Sequence, residues 1–377
     1  MKLSVATSWN DRLLHELAER NIKVYEIYGS LAAGLIGSGR ERQALPQVEV
    51  SQAKKHIALA HDYGIRFNYA LNAPCLGNLE QTREGRRQIQ EHLELIIEEL
   101  GVDSVIVTQP WLIELIHREF PEIEIAASVI IHIESVQMAK FYEELGVTRL
   151  NLSVMANRNF ELIKSIVNSV NCEVELLVNE TCLYRCPFRL YHYNSMGHTS
   201  QQEMEITQYC LLRCTRKKLG DPAELIKARW IRPEDIEKYE ALGIDFFKLE
   251  GREYPTSWIL RSMDSYSRRK YQGNLADIIA FYFLPTDKLD TRTDKAVLPP
   301  SIYIDNEKLD GFLTFFEKNG DRCDKLCHNC SYCSEIAQKV VTIDSTKLEN
   351  YLRELESLHS RFLRSFEEGR ERVISRV

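Results

Sequence analysis

From Lys2 to Tyr271 the chain repeats one rhythm eight times: a short run rich in β-branched and aromatic residues, then a longer amphipathic run. The short runs are KLSVATS, IKVYEIYG, IRFNYALN, VDSVIVTQ, IEIAASVII, VTRLNLSV, CEVELLVN and IDFFKLEG. The runs between them, such as DRLLHELAER, VSQAKKHIALAHDYG and ESVQMAKFYEELG, carry apolar residues at the three- and four-residue spacing of a helix with one buried face. Strands joined by helices of this length pair in parallel, since each crossover returns the chain to the same end of the sheet. Eight such units favour an α/β fold closed as a (β/α)8 barrel over an open doubly wound sheet. Gly64, Gly101, Gly146 and Gly243 stand between a helix and the next strand, where a left-handed residue is expected as the cap.

The rhythm predicts a barrel over residues 1–275 and a separate extension over 276–377. The extension begins with the polar, proline-bearing PTDKLDTRTDKAVLPPS, continues through four closely spaced cysteines, and ends in the heptad-like STKLENYLRELESLHSRFLRSFEEGRERV.

Chemistry in such a barrel belongs to the carboxyl ends of the strands. The residues there are Ser8, Asn10, Tyr28, Asn72, Cys75, Thr108, Ser128, Asn151, Ser153, Asn179, Glu180, Lys248, Glu250 and Arg252. Asparagine recurs because a carboxamide both donates and accepts without adding charge, which suits Asn72, Asn151 and Asn179 to orienting a polar ligand, although each could equally satisfy loop backbone. Lys248, Glu250 and Arg252 alternate, so they share one face of the eighth strand. Three charges inside a barrel must pair with one another or meet a ligand.

Ten cysteines occur, eight of them in tight groups. Cys182 and Cys186 follow the seventh strand as C-x3-C, and Cys210 and Cys214 repeat that spacing. Four thiolates suffice for a tetrahedral zinc or a four-iron cluster. The x3 spacing, at a barrel mouth beside Arg185, Arg189, His192 and His198, favours iron–sulfur. Cys323, Cys327, Cys330 and Cys333 form C-x3-C-x2-C-x2-C, with His328 inside. Their first three match the spacing of radical S-adenosylmethionine enzymes, but that motif belongs after the first strand, so a second cluster or a structural zinc is expected instead. Cys75 and Cys172 stand alone and read as small half-buried hydrophobes.

No apolar run is long enough to span a membrane and the amino terminus has no export signal, so a cytoplasmic, reducing location is expected. A formal charge of −7 disfavours RNA as main partner while leaving it open.

VYEIYGSLAAGLIGSGR, RFNYALNAPCLGN, NRNFELI, VELLVNETCLYRCPFR and WIRPEDIEKYEALGIDFFKLEGRE, in that order from near residue 20 to near 275, resemble peptidase family U32, the collagenase-like peptidases. The resemblance itself implies a barrel. It also implies one of two activities: proteolysis, or the oxygen-independent hydroxylation of the ubiquinone ring, a tRNA uridine or an rRNA cytidine carried out by relatives. Those hydroxylases hold a [4Fe-4S] cluster on four cysteines after the seventh strand, which map onto Cys182, Cys186, Cys210 and Cys214. Prephenate is the oxygen donor implied for some branches, and some members act as heterodimers with a related chain. The paired C-x3-C and the carboxy-terminal cysteines depart from the family pattern.

The expectation is therefore an iron–sulfur enzyme that hydroxylates a small organic or RNA substrate, with an electron-transfer partner; a peptidase or a non-catalytic partner subunit is the alternative. Glu180, His192, Lys248 and Glu250 are the candidate catalytic groups. Asn72, Asn151, Asn179, Arg185, Arg189 and Arg252 are the candidates for binding substrate or a carboxylate donor. The chain shows no H-E-x-x-H helix or G-x-S-x-G elbow for a protease.

Overall fold

The computed structural model describes residues 1–32, 34–201, 209–282, 298–320 and 322–374. Eight parallel strands close into a barrel in sequence order: β1 (Lys2–Ala6), β2 (Glu26–Gly29), β3 (Arg66–Leu71), β4 (Ser104–Val107), β5 (Glu124–Ala127), β6 (Arg149–Asn151), β7 (Glu173–Leu177) and β8 (Phe246–Leu249). β8 pairs back onto β1, with Leu3 opposite Phe247 and Ser4 opposite Lys248. Each strand sits inside one of the eight apolar runs, so the expected barrel is the observed one.

The core lies between strands and helices. Leu3, Val5, Ile27 and Phe67 face outward from the strands and meet helix faces such as Leu13, Leu14 and Leu17 of Asp11–Glu19, all buried. Each such side chain contributes about 1.5–3 kcal/mol. The four helix-ending glycines have φ of +70°, +67°, +99° and +94° in chain order. At Gly146 an added Cβ would lie 2.3 Å from the His117 ring. Gly146→Ala is expected to lower stability by more than about 1 kcal/mol, read by chemical denaturation.

Inside, the barrel is polar at its floor. Glu26 accepts from Ser4 (2.7 Å), Asn68 (3.0 Å) and Arg149 (2.8 Å), all buried. Glu175 accepts from Asn151 at 2.8 Å and stands 3.8 Å from Lys248 and 4.0 Å from Arg149. Ala6, Tyr28, Ala70, Ile106 and Ala126 form an apolar layer.

Beyond the barrel, Ile302–Ile304 pairs antiparallel with Val341–Ile343, and a long helix runs over Ser345–Ile374. That helix buries Tyr351 and Leu355 and brings His359 and Phe362 each to 5.7 Å from the Tyr209 ring. Most of PTDKLDTRTDKAVLPPS lies outside the described residues. No described helix is long and apolar enough to cross a membrane.

Candidate active site and thiol cavity at the barrel mouth

Two hollows meet at the carboxyl ends of the strands. The first, about 50 Å³, is lined by Tyr28, Asn72, Ser128, Asn151, Lys248, Glu250 and Arg252 and is roofed by Gly39 and Arg40 of the loop after β2. The second, about 230 Å³, is lined by Cys182, Cys186, Cys210 and Cys214 with Glu180, Arg189, His192 and Lys218. Arg40, Tyr193 and Glu250 line both, so the thiols and the polar pocket share a wall. A larger hollow of about 660 Å³ lies between the helices Asp11–Glu19 and Thr256–Ser267 and shares no lining residue with these two, and ion pairs such as Arg20–Glu16 and Arg268–Asp264 satisfy charges there.

β8 delivers the cationic and acidic side chains as its alternation predicts, but they do not pair with one another. Lys248 Nζ has no hydrogen-bond partner; it stands 4.0 Å from the Tyr28 ring centroid, and burial lowers its pKa. Glu250 accepts from Arg40 Nη2 at 2.7 Å through Oε2, while its Oε1 is buried and unpartnered. Burial first, then the neighbouring Glu180 and Glu253 carboxylates, outweigh the attraction of Arg40 and push the Glu250 carboxyl up to about 7. Arg252 donates to Ser30 Oγ at 2.8 Å.

Glu180 accepts from Arg189 at 3.1 Å. Burial opposes its ionisation, but the Arg189 guanidinium more than compensates and its pKa is lowered. Burial, reinforced by Arg40 and Arg189, drops the His192 imidazole to about 4, leaving it neutral. Arg189 has Nε and Nη1 buried without partners.

Two of the expected ligand-binding residues take other parts. Asn179 braces the end of β8: its amide donates to Glu250 O at 3.0 Å and accepts from Glu250 N at 2.9 Å, and it lines neither hollow. Arg185, with φ +50°, turns away to Glu134 and lines a separate hollow beside Cys323. Asn72 and Asn151 do line the polar pocket, where Asn72 accepts from Gly39 N at 3.0 Å and so holds the roof. The roofing Arg40 was not a sequence candidate; its only signal is a basic residue closing the glycine-rich loop GSGR.

The four thiols ring one hollow without already converging: among the described residues no three His, Cys, Asp or Glu side chains form a ready metal site. As a donor set they suit a soft-ligand centre, being four sulfurs around a space bordered by Arg189 and Lys218. Burial raises the pKa of Cys182, Cys186 and Cys210, so metal binding there would displace protons. Cys75 does not line the cavity.

Fold and site define a (β/α)8 barrel protein with a polar pocket and a four-cysteine cavity at its mouth. The model of peptidase family U32 matches residues 40–272, and the chain belongs to that family. It is 31% identical over 320 residues to the uncharacterized protease MJ1657 of Methanocaldococcus jannaschii, covering 85% of this chain and 89% of that one. It is 23% identical over 209 residues to the Escherichia coli 23S rRNA 5-hydroxycytidine C2501 synthase, covering 54% of this chain and 30% of that enzyme. A segment of 82 residues is 35% identical to the E. coli tRNA hydroxylation protein P, 22% of this chain and 18% of that protein. The solved structure of the U32 peptidase Mk0906 superposes with a TM-score of 0.52 at 20% identity, over 68% of this chain and 94% of that one.

Proposed function

We propose that the chain is an iron–sulfur enzyme that hydroxylates, without molecular oxygen, a small organic molecule or an RNA base held at the barrel mouth. The observation that carries this reading is the shared wall: four cysteines surround one hollow, and Arg40, Tyr193 and Glu250 separate it from the polar pocket. Two E. coli relatives bear names of RNA hydroxylation, which supports the same reaction class.

Cys182, Cys186, Cys210 and Cys214 would hold a [4Fe-4S] cluster, which supplies a one-electron carrier next to the substrate. The remaining work falls to side chains. Hydroxylation with water as oxygen source converts R–H and H2O to R–OH, two protons and two electrons, so the site needs a proton acceptor and the protein an electron-transfer partner. Glu250 Oε1, unpartnered and with a pKa near neutrality, is the acceptor. Lys248 Nζ offers its free donors to a substrate carbonyl or anionic group, and Asn151 Oδ1, buried and unpaired, offers an acceptor. Arg252, which donates to Ser30 and forms no ion pair with a described carboxylate, suits a carboxylate group on the substrate, whereas Arg40 is held by Glu250 and Glu253. His192 borders the thiol cavity and, held neutral there, can donate or accept a hydrogen bond to substrate without carrying charge.

The peptidase reading has less support. Among the described residues the histidine side chains that hydrogen-bond do so to Thr7, Asp11, Tyr63 and Asp103 rather than to a thiol.

The test is an anaerobic incubation of cluster-loaded protein with fractionated cellular RNA and small metabolites, followed by mass spectrometry. A substrate that gains one oxygen atom is the expected result. Peptide cleavage with no oxygenated product would overturn the reading. Steep weakening of binding with salt would assign RNA, and salt-insensitive binding a small molecule.

A further inference from the structure

Two arginines at the junction of barrel and extension have no anionic partner among the described residues. Arg158, 2% exposed, donates to Ile226 O at 2.7 Å and Trp230 O at 3.4 Å and lies 4.7 Å from the ring centroids of both Trp230 and Phe312. Arg229, 5% exposed, lies 3.8 Å above the Tyr184 ring and bonds to Cys323. Both leave Nε unpartnered, and no described carboxylate forms an ion pair with either. They also stand close enough to repel one another. Two buried like charges without a countercharge would be severely destabilising. The sulfurs of Cys323 and Cys333 act on both arginines and that of Cys327 on Arg229, although among the described residues the thiols do not already converge as a ready metal site.

We propose that Cys323, Cys327, Cys330 and Cys333 hold a metal centre whose negative charge is neutralised by Arg158 and Arg229. Charge balance carries the assignment. A zinc ion with four thiolates has a net charge of two minus, and so has a four-iron cluster with a doubly positive core; two guanidinium ions cancel either. The centre is distinct from the cavity at the mouth and clamps the extension to the barrel, where Phe315 stacks on Tyr332 at 4.0 Å and Trp230 stacks on Phe312 at 5.6 Å. Cys330, in the exposed stretch, completes the set by its spacing.

The test uses full-length protein carrying Cys182→Ser and Cys186→Ser, purified anaerobically, with metal and acid-labile sulfide measured. About one zinc or about four irons per chain should remain, the sulfide saying which, and should vanish when Cys323→Ser and Cys333→Ser are added. Metal-free protein before that addition would overturn the proposal while leaving the first site to be judged on its own loss. Arg229→Met should surrender this metal to a chelator at least about tenfold faster than Arg229→Lys; equal retention would overturn the neutralising role. Should the serine variants fail to fold, alkylation of native wild-type protein with peptide mapping decides: Cys323, Cys327, Cys330 and Cys333 protected until a chelator is added support this centre, and their alkylation before chelation overturns it, whatever the state of the thiols at the mouth.

Discussion

Glu26→Gln is expected to destabilise the protein by about 3–5 kcal/mol, the largest stability effect of any single substitution considered. Glu26 is fully buried and takes Arg149 through both carboxylate oxygens, at 2.9 and 2.8 Å, with Ser4 and Asn68 completing its shell. Glutamine keeps the shape but removes the charge, and Glu175, 4.0 Å away and already shared with Lys248 and Asn151, is a poor substitute partner for Arg149. Adding Arg149→Met should recover much of the loss, because removing both charges costs less than stranding one. Urea unfolding of the two single variants and the double variant measures this; a loss under about 1 kcal/mol for Glu26→Gln would mean that water reaches the barrel floor. The pH dependence has a defined sign. Burial is outweighed by Arg149 and Lys248, so the Glu26 pKa lies below its ordinary 4.5. Its contribution is therefore present above pH 4.5 and is lost as pH falls through the lowered value.

Glu250→Gln is expected to lower turnover of the anaerobic reaction by about 10²–10⁴-fold. The carboxyl near pH 7 is neutral below that value and becomes a base above it, so the wild-type rate should rise with pH through about 7. Glu250→Gln should be slow and lack that limb, whereas Glu250→Asp should keep it; an unchanged limb in the glutamine variant would remove Glu250 from the proton-transfer role. The same shift has the opposite stability sign from that of Glu26. A raised pKa means that the folded state binds the proton more tightly, so this contribution is complete below pH 4.5 and is lost as pH rises through about 7. Glu250→Gln should therefore flatten the stability profile across that window.

The barrel was legible because its eight strands are short, apolar and separated by helices with one buried face, and pattern alone fixes parallel pairing. Lys248, Glu250 and Arg252 were legible for a related reason: alternation in a strand puts all three on one side. The same signal was present in Glu26 of VYEIYG, Arg149 of VTRLNLSV and Glu175 of CEVELLVN, each a charge within an apolar run, yet what they pair with depends on which strands face across the closed barrel. Asn179 and Arg185 show where strand-end position misleads. One backbone turn decides whether such a residue points into the pocket, braces the neighbouring strand or swings outward, and the left-handed φ of Arg185 has no signature in its sequence. Arg40 reaches Glu250 across 210 positions through a loop whose path no periodicity encodes.

A cluster at the barrel mouth would make the iron content depend on Cys182 and Cys186. Iron and sulfide content, with the electron paramagnetic resonance spectrum after reduction, should be measured on anaerobically purified wild-type protein and on the Cys182→Ser/Cys186→Ser variant. The variant is expected to lose about four irons per chain and the corresponding signal. Equal iron and an identical spectrum in both proteins, or zinc with no iron in the wild type, would contradict it.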